Sequence, residues 1–450
     1  MKIVSLNPNT AERERERERE RERVNPRSDI PAPSNPQDYS GFSFENLLIA
    51  YYQCRKTKRK SSSAAKFEIN FEKELLEMSL QLKNRNYRLG KYTCFAITDP
   101  KIREVWAADF RDRIIHHLLV GYLEPIWEKK FIFHSYACRK EKGAHKAIKN
   151  LRQALNIQSP NIHKLWYLKI DIESFFMSIN KFVLFSLVQK HINNTDILWL
   201  SKLIIFQNPT DNYLIKGDRK ILASIPKNKS FFHAPPSNGL PIGNYTSQFF
   251  ANVYLNEADQ FIKHNLKCRH YFRYMDDFLL LHEDKNILLK WRDKISNFLE
   301  NRLKLTLHPK KQFLQPVSRG IDFLGYIVKP DYILSRRRII ANFKKKLHYF
   351  NKLLNNDAEP WPEKQNFQPA LPLIFHNQTP ALEFILETQA TINSYYGHFK
   401  HANCSYLRKN LCQKYFKELN NFLDPADKTF SSFIINPAIK KFYQEKNKEY

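Results

Sequence analysis

Arg269-His-Tyr-Phe-Arg-Tyr-Met-Asp-Asp-Phe-Leu-Leu-Leu-His282 is the stretch on which the reading of this chain turns. Two apolar and aromatic runs, Tyr271 to Tyr274 and Phe278 to Leu281, flank Met275, Asp276 and Asp277, a pattern that predicts a β-hairpin with two carboxylates at its tip. An acidic pair can be a plain turn former. It also places two like charges side by side, and each raises the other's pKa unless a cation neutralises them, which makes a divalent ion, Mg2+ first, the natural partner.

Leu165-Trp-Tyr-Leu-Lys-Ile-Asp-Ile-Glu-Ser-Phe-Phe-Met-Ser-Ile179 reads as a strand that ends in Asp171 and turns into a helix. Asp171 can serve as that helix's N-cap, as a metal ligand, or as both. A strand-end aspartate facing a hairpin-tip pair is the arrangement that holds two metal ions, activates a hydroxyl and stabilises a leaving pyrophosphate. That is nucleotidyl-transfer chemistry. Glu173 reads as a solvated helix-face residue.

Asp171 with Phe175-Phe176, then Gly239-Leu-Pro-Ile-Gly-Asn-Tyr-Thr-Ser-Gln248, Tyr274-Met-Asp-Asp277, Leu305-Thr-Leu-His-Pro-Lys-Lys311 and Asp322-Phe-Leu-Gly-Tyr326 follow in an order that resembles the motifs of reverse transcriptases. Arg103 to His117 and Ser135 to His145 resemble the finger motifs of the bacterial, group II intron-like branch. The resemblance covers roughly residues 44–408. It implies an α+β right-hand polymerase fold: fingers and a palm whose antiparallel sheet is backed by helices, then a helical thumb.

The resemblance also implies roles. Asp171, Asp276 and Asp277 would be the metal ligands, with the Ile172 carbonyl a further oxygen donor, for two Mg2+ ions or alternatively Mn2+. Phe176 would lie under the incoming sugar and disfavour a ribose 2′-hydroxyl, although one of Phe175 and Phe176 must be core. Arg103 would bind the triphosphate, and Arg139 would touch template or phosphate. Lys310 or Lys311 would protonate the departing pyrophosphate; the sequence leaves open which of them points inward. Gly325 would let the primer-grip hairpin bend towards the primer. Ile242, Gly243 and Gln248 would line the nascent base pair. Most reverse transcriptases have glutamine where this chain has Ile242 and proline where it has Gln248. The combination resembles diversity-generating retroelement enzymes, which err at template adenines. An aliphatic side chain forms no hydrogen bond to template or nucleotide, and one missing polar contact is worth about 1–2 kcal/mol of selectivity.

Lysine and arginine outnumber acids 73 to 45 over 450 residues, a net charge of +28. Such an excess points to a polyanion, and the motifs select nucleic acid over a membrane surface. Six scattered cysteines without a C-x-x-C pair argue against structural zinc and disulfides and fit a cytoplasmic protein. No stretch reads as a signal peptide or membrane span.

Along the chain, residues 1–40, with their Glu/Arg repeat, read as a disordered leader, 41–329 as fingers and palm, and 330–450 as a basic helical thumb with a C-terminal extension. Helices are expected near Phe44 to Tyr52, Glu72 to Lys83, Ile114 to Ile126 and Ile287 to Leu303, and finger strands between Tyr87 and Ile97. An insertion at about 206–236 reads as two short strands or turns. Arg336, Arg337, Lys344 and Lys345 form the basic face of a thumb helix that grips duplex backbone. Residues 359–372 read as a loop and 382–422 as helix. No RNase H domain is expected. The expected partners are a template RNA with its nascent cDNA, dNTPs and a small basic accessory protein. An antiphage-defence enzyme copying a noncoding RNA is the alternative, and a non-catalytic, maturase-like RNA scaffold a third reading.

Overall fold

The computed structural model describes residues 41–56, 61–98, 101–157, 163–355, 375–376, 379–380 and 382–446. The expected leader at 1–40 and the loop at 359–372 lie outside the described residues. The chain forms two compact units.

The first unit holds the described residues up to Lys91 with Ala108–Lys130 and His191–Ile204. It is helical: Phe44–Arg55, Ser62–Ile69, Phe71–Lys83 and Phe110–Glu128 bury Leu47, Tyr51, Leu75, Met78, Ile115 and Leu119. Ser43 and Asp109 cap the first and last of these by accepting backbone N–H bonds from Asn46 and Arg111. Asp112 is buried and accepts from the Tyr87 hydroxyl and the Gly90 amide, each at 2.8 Å; burial pushes its carboxyl up to about 6. Of the two adjacent histidines, His116 is fully buried and burial lowers it to about 3.

The second unit holds Tyr92–Ala107, Phe131–Lys190 and residues from Ile205 onward. Its strands, in chain order, are β1 (Tyr92–Ile97), β2 (Arg103–Ala107), β3 (Trp166–Ile172), β4 (Tyr213–Ile215), β5 (His270–Tyr274), β6 (Asp277–His282), β7 (Leu307–Pro316), β8 (Ile321–Phe323), β9 (Tyr326–Val328) and β10 (Ile333–Ser335). The central sheet has the order β5-β6-β3-β7 and is antiparallel throughout. Its inner strands are apolar on both faces over Tyr167, Leu168 and Ile170 and over Phe278 to Leu281, because both faces are covered, and the exceptions are Lys169 and Asp171 of β3 and Asp277 of β6. On one face Tyr167, Phe272, Leu279 and Leu281 pack with Leu151 and Leu155 of helix Ala144–Ile157 and with Phe323 and Tyr326. On the other, β3, β6 and β7 contact helix Lys285–Leu303, and Tyr271 reaches Asp259 of helix Tyr245–Gln260. β1 pairs antiparallel with β2 and parallel with β4.

Residues 206–236, expected as two strands or turns, contain one strand, β4, a short helix Arg219–Ala223 and two single turns of 3-10 helix, Lys227–Lys229 and Phe231–His233. The expected boundary at 329/330 does not coincide with the division into units, since β8 to β10 and the following helices belong to the same unit as the central sheet. The basic helix Arg337–Leu354 packs through Phe343, Leu347 and Phe350 on Ile392, Tyr396 and Phe399 of helix Leu382–Lys400. The helix expected over 382–422 is three pieces, Leu382–Lys400, Ser405–Tyr415 and a 3-10 stretch Lys417–Asn421. The first break falls where Asn403 turns to β10: its amide donates to Ile333 O at 2.7 Å and its side chain accepts from Ile333 N at 2.8 Å.

Candidate active site

β5 and β6 close on the pair Tyr274↔Asp277, which leaves Met275 and Asp276 as a two-residue turn. Met275 adopts a left-handed backbone, φ 53°, which an unbranched residue tolerates only when its surroundings hold it there. Those surroundings centre on Arg273, fully buried one residue beyond the closing pair. Its Nη1 donates to the Met275 carbonyl and to Asn252 Oδ1, both at 3.1 Å, and its Nη2 to Ser135 Oγ at 2.8 Å. Its Nε and Nη2 also bind the equally buried Asp259 at 2.8 and 2.7 Å, and Tyr271 donates to the same carboxylate. The buried charge is thus satisfied on all sides and ties the turn to helix Tyr245–Gln260.

Strand register brings the third carboxylate in. Asp171 lies directly opposite Asp277, and Lys169, opposite Leu279, is on the same face by the two-residue alternation of a strand. Lys169 Nζ stands 3.5 Å from Asp277 Oδ1, and Lys311 pairs with Asp171. Burial, then Asp171 and Asp277, push Asp276 up to about 7; burial also raises Asp277, against the pull of Lys169.

A bulge explains why Lys311 and not Lys310 faces the site. β3 pairs Ile170 with Gln312 and Ile172 with Leu307, so residues 308–311 of β7 stand opposite Asp171 alone. Lys311 reaches Asp171, while Lys310 is exposed and spends its amide on His308 Nδ1. The N-cap alternative for Asp171 is not realised: Asp171 stays in β3, and Ser174, φ 46°, occupies the cap position of the short helix Phe175–Ser178.

The acidic turn opens into a cleft of about 620 Å³. Asp276, Asp277, Ile172, Arg103, Phe176, Ile242, Gly243, Gln248 and Lys311 line it, joined by Lys101, Lys229 and Leu324. Phe175 is the core member of its pair and Phe176 the half-exposed one. Ile242 is pinned by its backbone, since its carbonyl accepts from Trp106 N at 2.7 Å. Gly243, φ +127°, could not carry a side chain, because a Cβ would stand 2.7 Å from the Trp106 carbonyl.

The remaining expected residues lie outside this cleft. Arg139 is turned into its own loop, donating to the carbonyls of Ile132 and Ser135 at 2.7 and 2.8 Å. Gly325, φ +88°, and Leu324, φ 48°, form the two-residue β8–β9 turn. Leu324 points into the cleft, and a Cβ on Gly325 would meet Ile339 and His398. Arg336 pairs with Asp322 and donates its amide to Gly325 O at 2.9 Å. Arg337 and Lys345 are exposed, and Lys344 lies 4.5 Å over the Tyr415 ring. Lys169, Lys101 and Lys229 were not singled out from sequence. For Lys169 the signal was there: it stands two residues before Asp171 in the same strand.

Three carboxylates and the Ile172 carbonyl are hard oxygen donors of the kind that suit Mg2+ or Mn2+. Among the described residues, however, no three His, Cys, Asp or Glu side chains stand together in a metal-binding geometry, Asp171 and Asp277 each being paired with a lysine. No described helix is long and apolar enough to cross a membrane.

Residues 98–328 match the family model described as reverse transcriptase (RNA-dependent DNA polymerase). Curated relatives include Protein YkfC of Escherichia coli, 25% identical over 51% of this chain and 64% of that protein. Nuclear intron maturase 1, mitochondrial, of Arabidopsis thaliana is 22% identical over 70% of this chain and 57% of its own, and the group II intron-encoded protein LtrA of Lactococcus lactis 22% over 51% and 45%. The chain therefore spans about half to two thirds of these relatives' lengths. Among solved structures, telomerase from Candida albicans with a fragment of telomeric RNA is similar at a TM-score of 0.39 and 14% identity, covering 73% of this chain and 58% of that one.

Proposed function

We propose that this chain, which belongs to the reverse transcriptase (RNA-dependent DNA polymerase) family, synthesises DNA on a cognate RNA template by two-metal nucleotidyl transfer. The observation that carries the reading is strand register, which sets Asp171 of β3 directly opposite Asp277 of β6, next to Asp276 in the β5–β6 turn, beside a cleft lined by Arg103, Phe176 and Lys311. Asp171, Asp276, Asp277 and the Ile172 carbonyl would hold two Mg2+ ions, which when bound activate the primer 3′-hydroxyl and neutralise the leaving pyrophosphate. Arg103 orients the triphosphate, Phe176 sits where a ribose 2′-hydroxyl would clash, and Lys311 holds the proton that the pyrophosphate takes. The basic thumb helix and Gly325 turn grip the duplex.

The finer reading is error-prone synthesis at adenines in a diversity-generating retroelement, in the cytoplasm and with a small basic accessory protein. Ile242 supports it, because its side chain lines the cleft while its backbone is fixed by Trp106. Ile242→Gln therefore changes the group facing the base pair without releasing the loop. The test is primer extension by the purified protein on an adenine-containing RNA with Mg2+ and dNTPs, with product sequencing. DNA synthesis abolished by Asp276→Asn supports the polymerase, and frequent errors opposite adenine that fall in Ile242→Gln support diversification. Accurate products favour copying of a noncoding RNA in defence. A second reading, a maturase-like RNA-binding role, draws on the name of the Arabidopsis relative; RNA binding with no Asp276-dependent synthesis would favour it.

A further inference from the structure

Glu104, the neighbour of Arg103 in β2, is a carboxylate with 1% of its surface exposed. It is held by hydrogen bonds: Trp106 Nε1 donates to Oε1 at 2.5 Å, Phe231 N to Oε1 at 2.7 Å, and Ser230 Oγ to Oε2 at 2.6 Å. Two of these donors come from the segment 206–236, more than a hundred residues away. Burying a carboxylate costs stability unless its acceptor capacity is filled, so this contact specifies where Ser230 and Phe231 must sit. Aromatic packing reinforces it, with Trp106 at 6.1 Å from Phe231 and 5.0 Å from Phe232, ring centre to ring centre.

The residues placed by this clamp are Lys227, Asn228 and Lys229, the 3-10 turn immediately before Ser230. The turn is closed by Lys229 N donating to Pro226 O at 2.8 Å. Asn228 and Lys229 line the catalytic cleft with Lys101, Arg103 and Lys311. Burial and the charges of Lys311, Arg338, Arg103 and Lys229 hold the Lys101 ammonium below the usual lysine range. Cations packed so closely repel one another until a polyanion joins them.

We propose that the turn Lys227–Lys229 is a built wall of the nucleotide site, with Lys229 joining Lys101 and Arg103 in binding the triphosphate of the incoming nucleotide and Glu104 acting as the positioning residue. This rests on the polymerase reading for the identity of the nucleotide, and on the clamp for the geometry. The cluster lies in the same recess as the acidic turn and Phe176, which favours a nucleotide over template backbone as its ligand. Arg103 and Lys229 are coupled by their neighbours: displacing Ser230 from Glu104 moves the insertion's cation relative to the finger's.

The test uses the full chain and separates binding from turnover. A fluorescent dATP and the matching dADP are titrated with Mg2+ and a primer–RNA duplex, and primer extension is run in parallel. Lys229→Ala should weaken dATP about fivefold, the upper end for one solvent-exposed ion pair, affect dADP less, and raise KM while kcat holds. Lys229→Arg should restore affinity. Glu104→Gln, and Ser230→Ala as the milder change, should raise KM in the same direction. Unchanged dATP affinity in Lys229→Ala overturns the inference, as does weaker duplex binding with dATP unaffected, even where the wild type extends primers normally. If Lys229→Ala loses dATP affinity in a protein that extends no primer, the triphosphate site stands and the polymerase reading falls.

Discussion

Replacing Arg273 by methionine removes a fully buried cation beneath the Met275–Asp276 turn and leaves Asp259 as a fully buried carboxylate with the Tyr271 hydroxyl still donating to it. Breaking a buried ion pair from one side costs about 3–5 kcal/mol, mostly the penalty of the abandoned charge. Replacing both partners by apolar groups of similar size is often close to neutral. Arg273→Met should therefore lower stability by about 4 kcal/mol, and Arg273→Met with Asp259→Leu should recover most of it. Chemistry should not recover, because the Met275 carbonyl and Ser135 Oγ lose their donor in both variants and the turn carrying Asp276 is no longer held. The assay is a double-mutant cycle by urea unfolding, with primer-extension rate measured on each member. The reasoning fails if the single variant loses under about 1 kcal/mol. It fails equally if the two losses simply add, or if the double variant regains activity along with stability.

Lys311→Ala should slow primer extension by about two orders of magnitude or more, the range for a lost general acid, while Lys310→Ala stays near wild type; single-turnover rates distinguish them. Gly243→Ala, which puts a Cβ against the Trp106 carbonyl at a left-handed φ, should destabilise by more than about 1 kcal/mol and weaken dNTP binding; a neutral result by thermal melting would contradict the close approach. His398 is held down to about 4, first by burial and then by His145 and His401. At this site the unfolded chain, with histidine near 6.5, binds more protons between about pH 6.5 and 4, so the contribution of His398 to stability falls as pH drops through that window and levels off below it, while the raised carboxyls of Asp112 and Asp276 act in the opposite direction. The difference between wild type and His398→Gln in a melting-temperature series should carry that sign, the same as the contributions of His134 and His116.

The apolar-acidic-apolar run and the strand-end aspartate were legible because both are local patterns with a fixed period. Two-residue alternation carries Asp171 and Lys169 to one face whatever the rest of the chain does. The choice between Lys310 and Lys311 was not legible, since it depends on a bulge that four residues of β7 make against one of β3, and a register shift leaves no periodic mark. Glu104 was equally hidden. Alone it reads as an exposed strand residue, and only Ser230 and Phe231, distant in sequence, make its burial tolerable. The break at 401–404 contains neither proline nor glycine, and follows from the bond between Asn403 and β10. Sequence thus revealed what adjacent residues decide, and missed what long-range partners decide.

The pairing of Asp171 with Asp277 across neighbouring strands also has an evolutionary side. Like charges directly opposite in a sheet weaken that sheet, so the positions best suited to chemistry are poorly suited to persistence. Selection for folding alone would replace either aspartate with asparagine or an apolar residue, and most such changes would be tolerated by the scaffold. In a chain that keeps the fold without nucleotide addition, this pair is where substitution should appear first. In this chain Lys169 on Asp277 and Lys311 on Asp171 set a cation against each acid, so a change at either lysine would expose the repulsion across the pair.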